Sequence, residues 1–260
     1  MARPMRGWKA WATFGLLASA FFLLFSFYKF QYEVPILMYH RVEDVAEKSS
    51  TIVSPAAFER QMEFLKVHRY EVLSLQELLE LLKKGKNVPA KAVVITFDDG
   101  TVDNVKNAFP VLKKMDFPAT VFMITRNIGQ PGWLSEEDLR ILDAEGVSVG
   151  SHTQTHAFLP KLSEEDAEDE LRESKKHLEE ILGHPVTLFS YPAGGVTEPI
   201  RAMVEVLGYE GAVTTNYGKT HHDPYMLHRI KVGESSGNLF NFWIKTSGLY
   251  HLGKKRIVSE

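Results

Sequence analysis

The chain has no cysteine. That absence removes disulfides, thiolate nucleophiles and thiolate metal ligands together, so any bound metal must be held by His, Asp or Glu. It also lacks an excess of either charge: 30 Lys and Arg stand against 33 Asp and Glu, a net charge of −3. Without a basic surplus no nucleic acid is expected as a partner. Low-complexity tracts, repeats of fixed period and a second linker are missing too. What remains is ordinary for a globular protein: 260 residues, 44% hydrophobic and 24% charged. Neither a disordered nor a fibrous chain has that composition.

One long apolar run breaks the evenness. Arg3, Arg6 and Lys9 precede an uncharged stretch from Ala10 to Tyr28, which at ~1.5 Å per helical residue is long enough to cross a bilayer. Trp8, Trp11 and Tyr28 lie near its ends, where aromatic rings favour the interface, and the basic residues keep the N-terminal side in the cytoplasm. The sequence therefore predicts a cytoplasmic N-terminus and signal anchor over residues 1–30, membrane contact through residues 10–28, and one extracellular domain over 31–260. The localisation that follows is the cell membrane, single-pass. The rival is a cleaved signal peptide. Ala18-Ser19-Ala20 has the small-x-small form, but Phe21 to Phe27 behind it would leave a greasy new terminus.

Past a short polar connector, strand-like and helix-like stretches alternate. Val34–Tyr39, Ala92–Phe97, Ala119–Thr125, Val147–Gly150, Val186–Tyr191, Glu210–Thr215 and Leu227–Val232 read as strands. Between them lie helix signals: Ser54-Pro55 as N-cap and first turn, Ser74 with Glu77 and Ser135 with Asp138 as capping boxes, Ser163 starting a helix that Gly183 closes. Strands this apolar are buried on both faces, and their alternation with helices means a parallel sheet. At this length a closed or nearly closed α/β barrel is the economical solution, with a doubly wound open sheet as the alternative.

In such folds the site lies at the C-terminal ends of the strands. His40, the pair Asp98 and Asp99, His152 with His156, Pro192–Gly195 and His228 all fall at or just after those ends. His152 and His156 are spaced i, i+4, so one helical turn would face both rings the same way. Asp99 can complete a two-His, one-carboxylate set with open positions for water and substrate. Adjacent carboxylates are also good helix caps, but capping needs only one of them; two in a buried mouth repel, and a cation would relieve the repulsion.

Three segments in order, Thr96-Phe97-Asp98-Asp99-Gly100, Ser151-His152-Thr153-Gln154-Thr155-His156 and Phe189-Ser190-Tyr191-Pro192-Ala193-Gly194, resemble the polysaccharide deacetylases of the NodB-homology type, carbohydrate esterase family 4. The opening Pro35-Ile36-Leu37-Met38-Tyr39-His40-Arg41-Val42 is similar to the branch containing poly-N-acetylglucosamine deacetylases. The resemblance spans roughly residues 34 to 245. It implies a distorted (β/α) barrel of about seven parallel strands and one divalent metal, zinc first, with Co, Ni or Mn as alternatives. Carried over residue by residue, Asp99, His152 and His156 match the metal ligands. Asp98 matches the base that takes a proton from the attacking water, and the backbone N–H of Ala193 matches an oxyanion donor. Trp133 and Tyr191 are candidate walls or floor of the substrate site, and each has an alternative as packing. The implied reaction is hydrolysis of N-acetyl groups on an extracellular or cell-wall glycan, releasing acetate. A catalytically silent glycan-binding module and a metallohydrolase of another amide or ester are the alternatives.

Two departures stand out. The family often carries an Arg in the third motif that orients the base, where this chain has Ser190; Arg229 and Arg41 are the available substitutes. The family's general acid is a His in a Leu-x-His motif near the end. Met226-Leu227-His228-Arg229-Ile230 is an imperfect match, which makes His228 the first choice for that role and His40 the second.

Overall fold

The computed structural model describes residues 7–44, 49–215 and 223–251, and of the first helix it describes side chains for residues 11–23. The chain divides into two units, Met1–Glu33 and Val34–Glu260. The first contains helix α1 (Gly7–Gln31). Its described side chains are all exposed, Trp11, Phe14, Leu16, Leu17, Phe21, Phe22 and Leu23 among them. The expected spanning segment over 10–28 thus falls on a helix. Among the described residues, however, no helix is long and apolar enough to cross a membrane.

The second unit is built on strands β1 (Ile36–Tyr39), β2 (Arg41–Val42), β3 (Ile52–Val53), β4 (Glu71–Leu73), β5 (Ala92–Phe97), β6 (Ala119–Met123), β7 (Val147–Ser151), β8 (Leu188–Ser190), β9 (Gly211–Thr214), β10 (Leu227–His228) and β11 (Ile230–Lys231). Its helices are α2 (Pro55–Val67), α3 (Leu75–Lys83), α4 (Phe109–Met115), α5 (Glu136–Ala144), α6 (Glu164–Leu182), α7 (Glu198–Val206) and α8 (Leu239–Thr246). One nine-stranded sheet runs in the order β10-β9-β8-β7-β6-β5-β1-β11, with β4 also on β5. Every pairing in it is parallel.

The two ends of that order are consecutive pieces of chain. Leu227 and His228 pair with Val213 and Thr214 of β9. Ile230 and Lys231 pair with Leu37 and Met38 of β1. The segment predicted as one strand from Leu227 to Val232 is therefore broken at Arg229, and it crosses from β9 to β1 to close the barrel. With that segment counted once and β4 set aside, the order gives seven staves, as the family resemblance implied.

Burial explains why these runs are strands. All six residues of β5 and all five of β6 are buried, so a stave carries apolar groups toward both the barrel interior and the helical layer. The outer layer is fixed by local chemistry. Capping boxes form at Ser74/Glu77 and Ser135/Asp138, and Ser163 accepts from the Asp166 N–H to start α6, which Gly183 ends in the left-handed conformation. Each such cap is worth about 1 kcal/mol. Tyr39 stacks on Phe97 at 5.5 Å and meets Phe58 of α2 edge-on at 5.2 Å, joining barrel to helix.

Candidate active site

Register decides which side chains meet at the barrel mouth. Tyr39 is paired with Phe97, so the next residues of those staves, His40 and Asp98, emerge side by side. Ser151 is paired with Phe189, which sets His152 beside Ser190. Thr214 is paired with His228, and Arg229 follows. All these positions lie at the C-terminal ends of parallel strands, where the peptide groups run out of partners and loops take over.

Asp98 and Asp99 part company at the end of β5. Asp98 is buried at 2% exposure. Asp99 adopts φ 73° and Gly100 φ 81°. That double left-handed turn swings the Asp99 side chain to the mouth while Asp98 stays inside. Gly100 cannot be replaced cheaply, since its φ of 81° strains any L side chain and a Cβ there would also displace Met123 Sδ. Ala193, Thr153 and His156 also have positive φ, at 51°, 64° and 61°. Such conformations cost roughly 1–3 kcal/mol each in a non-glycine residue and gather where geometry is held for function.

Asp99 Oδ1 lies 3.7 Å from His152 Nε2 and 3.7 Å from His156 Nε2. The donor atoms of the three residues are all within 4.8 Å of one another. These separations exceed a hydrogen bond and leave room for an ion between them. His152 Nδ1 is 2.8 Å from the Ser190 carbonyl oxygen. A carbonyl only accepts, so that nitrogen carries the proton and Nε2 presents a bare lone pair toward Asp99. Burial lowers the His152 pKa, against Asp98 and Asp99, which raise it; the ring is kept neutral, as a ligand must be. His156, with a side chain 42% exposed, closes the cluster from the solvent side. By donor type and tautomer the three residues fit a divalent cation. The i, i+4 spacing had predicted a helical turn for the two His. The backbone is instead a loop, with His156 N–H donating to Thr153 Oγ1 at 3.0 Å and two left-handed residues bringing the rings to 4.8 Å.

Arg229 is the residue that sequence reasoning could name only as a possibility. At 1% exposure it donates Nη1 and Nη2 to Asp98 Oδ1 and Oδ2, both at 2.6 Å. Its remaining N–H groups reach Thr96 Oγ1 at 3.1 Å, Ser190 Oγ at 2.9 Å and the Thr214 carbonyl at 3.4 Å. All five guanidinium donors are thereby used. Burial alone would raise the Asp98 pKa. The Arg229 charge and hydrogen bonds, with His152 and His40 behind them, outweigh it and hold the carboxyl well below the usual carboxylate range. Ser190, which stands where the family often has Arg, touches the same carboxylate at 3.4 Å. Arg41, the other candidate, is turned to Glu43 at 3.0 Å.

His40 joins this group. Burial lowers its pKa, Asp98 and Asp99 raise it, and Arg229 and Lys231 lower it, so its electrostatic neighbours are the site itself. Its Nδ1 is buried without a hydrogen-bond partner among the described residues, and its carbonyl accepts from Asn104 Nδ2 at 2.9 Å. His228 is half-buried on β10, and it is the next residue, Arg229, that meets Asp98. The register of β1 against β5, which sequence alone does not give, is what sets His40 beside Asp98.

The other candidates separate cleanly. Ala193 is exposed at the mouth in a short turn, Pro192–Gly194. Trp133 is half-buried beside Thr101, to which it is bridged, and Leu134 N–H donates to the Gly100 carbonyl at 3.0 Å. That places the backbone of Trp133 next to the Asp98-Asp99-Gly100 turn, while its side chain packs against the core. Tyr191, expected to be part of the site floor, is fully buried with its ring edge-on to Phe189 at 5.0 Å, and burial pushes its hydroxyl pKa up. It is a packing residue under the third motif.

Comparison with known proteins fits this arrangement. Residues 85–212 match the polysaccharide deacetylase family. Over 217 residues the chain is 36% identical to YxkH of Bacillus subtilis, described as a polysaccharide deacetylase, covering 82% of this chain and 77% of that one. It is 29% identical over 205 residues to the poly-β-1,6-N-acetyl-D-glucosamine N-deacetylase of Staphylococcus aureus, covering 71% of this chain and 69% of that protein. Among solved structures, the Streptococcus pyogenes deacetylase PplD in complex with acetate superposes with a TM-score of 0.73 at 28% identity, covering 80% of this chain and 97% of that one.

Proposed function

The chain belongs to the polysaccharide deacetylase family, and from that premise we propose that it removes N-acetyl groups from an N-acetylglucosamine-containing polysaccharide at the cell surface. The observation that carries this reading is the pairing of two carboxylates with different surroundings: Asp98 clamped by Arg229 inside the barrel, and Asp99 facing two imidazole nitrogens at the mouth.

Asp99, His152 and His156 would hold the divalent ion, zinc in our reading. When bound, such an ion supplies Lewis acidity toward the acetyl carbonyl and toward water. Asp98 is the base. Arg229 occupies one lone-pair direction on each of its oxygens, and Oδ2 lies 3.9 Å from His152 Nε2. The free acceptor position on Oδ2 is therefore available to a water on the cluster side, and Asp98 takes that water's proton as its oxygen attacks the acetamide carbon. The Ala193 N–H at the mouth donates to the oxyanion that develops. In its protonated form His40, whose electrostatic neighbours include Asp98, Asp99 and Arg229, gives a proton to the departing nitrogen as the C–N bond breaks, and Asp98 releases the water's proton to solvent. Acetate and a free amine result. Trp133, beside the Asp98-Asp99 turn, lines the pocket for the acetyl methyl or a sugar ring.

We also propose that residues 10–28 tether the enzyme to the cell membrane with residues 31–260 on the extracellular side. The uncharged run, the basic residues before it and the exposed apolar side chains of α1 support this. The test is acetate release from poly-N-acetylglucosamine, peptidoglycan and chitin oligomers, each with and without chelator. The reading expects chelator-sensitive release from at least one N-acetylated glycan, with poly-N-acetylglucosamine preferred. Release from none of them, or release indifferent to chelator, would overturn it.

A further inference from the structure

The loop that carries both His of the cluster is braced from outside by one helix. Glu170 and Ser174 are one turn apart on α6, hence on one face. Glu170 receives two bonds from Thr155: the backbone N–H at 2.8 Å to Oε2 and the hydroxyl at 2.7 Å to Oε1. Ser174 lies four residues on. Its Oγ is 2.7 Å from Ser151 Oγ and donates to the Leu171 carbonyl at 3.1 Å. Ser151 Oγ in turn accepts from the Thr153 N–H at 3.3 Å. Thr155 immediately precedes His156, and Ser151 immediately precedes His152. Each brace thus grips the residue next to a cluster imidazole.

The loop needs such support. Thr153 and His156 both sit in the left-handed region, so an unsupported loop would relax toward conformations that part the rings. A carboxylate is suited to the job because it only accepts, and both Thr155 groups donate to it as charge-assisted bonds. Thr125 N–H to the Thr153 carbonyl at 3.2 Å and Arg126 N–H to the Gln154 carbonyl at 2.9 Å fix the middle of the loop, while the His156 N–H bond to Thr153 Oγ1 at 3.0 Å ties the His156 end only to the loop itself.

We propose that Glu170, assisted by Ser174, is a positioning residue that sets the distance between His152 and His156 and thereby the affinity of the cluster for a divalent cation. The inference rests on the metal-site reading given above. The full chain, purified in detergent and stripped of metal, is titrated with zinc against a chromogenic chelator, and the melting temperature of each metal-free form is recorded alongside. Glu170→Ala is expected to weaken zinc binding by about 10–100-fold, the usual effect of removing a partner that orients a ligand. Glu170→Gln should recover most of it, because its amide oxygen still accepts from the Thr155 N–H and its nitrogen can donate to the hydroxyl. Ser174→Ala should weaken binding less, and Glu168→Ala, on an exposed side chain of the same helix, should leave it unchanged. Should Glu170→Ala fail to fold, Glu170→Asp, which withdraws the carboxylate by one methylene, is expected to give a smaller weakening. A folded Glu170→Ala or Glu170→Asp variant that binds zinc within twofold of the wild type overturns the inference and leaves the metal-site reading standing. A wild-type chain that binds no zinc overturns both.

Discussion

Arg229 and Asp98 face each other from positions 131 residues apart, joined by two parallel hydrogen bonds of 2.6 Å in the barrel interior. The relationship follows from how the barrel closes. The last stave changes partner from β9 to β1, and Arg229 is the residue at the change. It has left one ladder and not yet joined the other, so its side chain is free to turn inward and reach the carboxylate at the end of β5. The closing strand thus supplies an Arg partner of Asp98 of the kind the family resemblance implied for the third motif, with Ser190 of the third motif as a further donor to Asp98.

Removing one partner should be costly in a way that an exposed ion pair is not. Arg229→Gln leaves Asp98 buried and uncompensated, and we expect a loss of about 3–5 kcal/mol in urea unfolding near neutral pH. The sign of the pH dependence follows from the Asp98 pKa, which is lowered on folding. Its contribution is complete above the unfolded carboxyl pKa of about 3.9 and fades as pH falls toward the depressed folded value. The gap between wild type and Arg229→Gln should therefore be widest near pH 7 and narrow as pH falls, first as the uncompensated Asp98 of the variant, its pKa raised by burial, takes up a proton, and further below about pH 4 as the wild-type pair loses its contribution. A loss under 1 kcal/mol at pH 7 would mean the pair is not closed as described.

The proton donor can be assigned by comparing two histidines. His40→Gln should lower kcat by roughly 10²–10⁴-fold, as expected when a general acid is lost, with zinc content unchanged. His228→Gln should stay within several-fold of the wild type. The reverse ranking would return the role to the Leu-x-His segment and show that β1 contributes only structure.

Much of the barrel was legible in the sequence because its signals are local. Ser74 with Glu77, Ser135 with Asp138, and Ser163 with Gly183 mark helix boundaries by bonds made within a few residues. The buried runs of β5 and β6 announce staves by composition alone. What was not legible depends on register and closure. Nothing in Met226–Ile230 says that the strand breaks at Arg229, since the break is imposed by partners at residues 37 and 213. The spacing of His152 and His156 pointed to a helical turn. The loop that replaces it is held by Glu170 and Ser174 on another element, and no pattern within 151–156 encodes that. Tyr191 drew attention by standing in a motif, yet its burial against Phe189 is tertiary.

Topology is open to direct measurement. If residues 10–28 anchor the chain, protease added to intact cells should degrade residues 31–260 while sparing a lysate-only cytoplasmic marker, and the full-length chain should sediment with membranes. A mature protein beginning near Phe21 and released to the medium would instead identify a cleaved signal peptide.

The central claim is that adjacent carboxylates do different work: Asp98 moves a proton and Asp99 holds the ion. Measuring bound zinc per folded chain together with kcat for Asp98→Asn and Asp99→Asn tests it most directly. Asp98→Asn keeps the shape and removes the basicity. It should retain zinc near the wild-type level and lose roughly 10²–10⁴-fold in kcat, with a stability penalty from the unpaired Arg229. Asp99→Asn should lose zinc and activity together and regain part of both when zinc is raised. Equal loss of zinc in the two variants, or full activity in Asp98→Asn, would contradict the account.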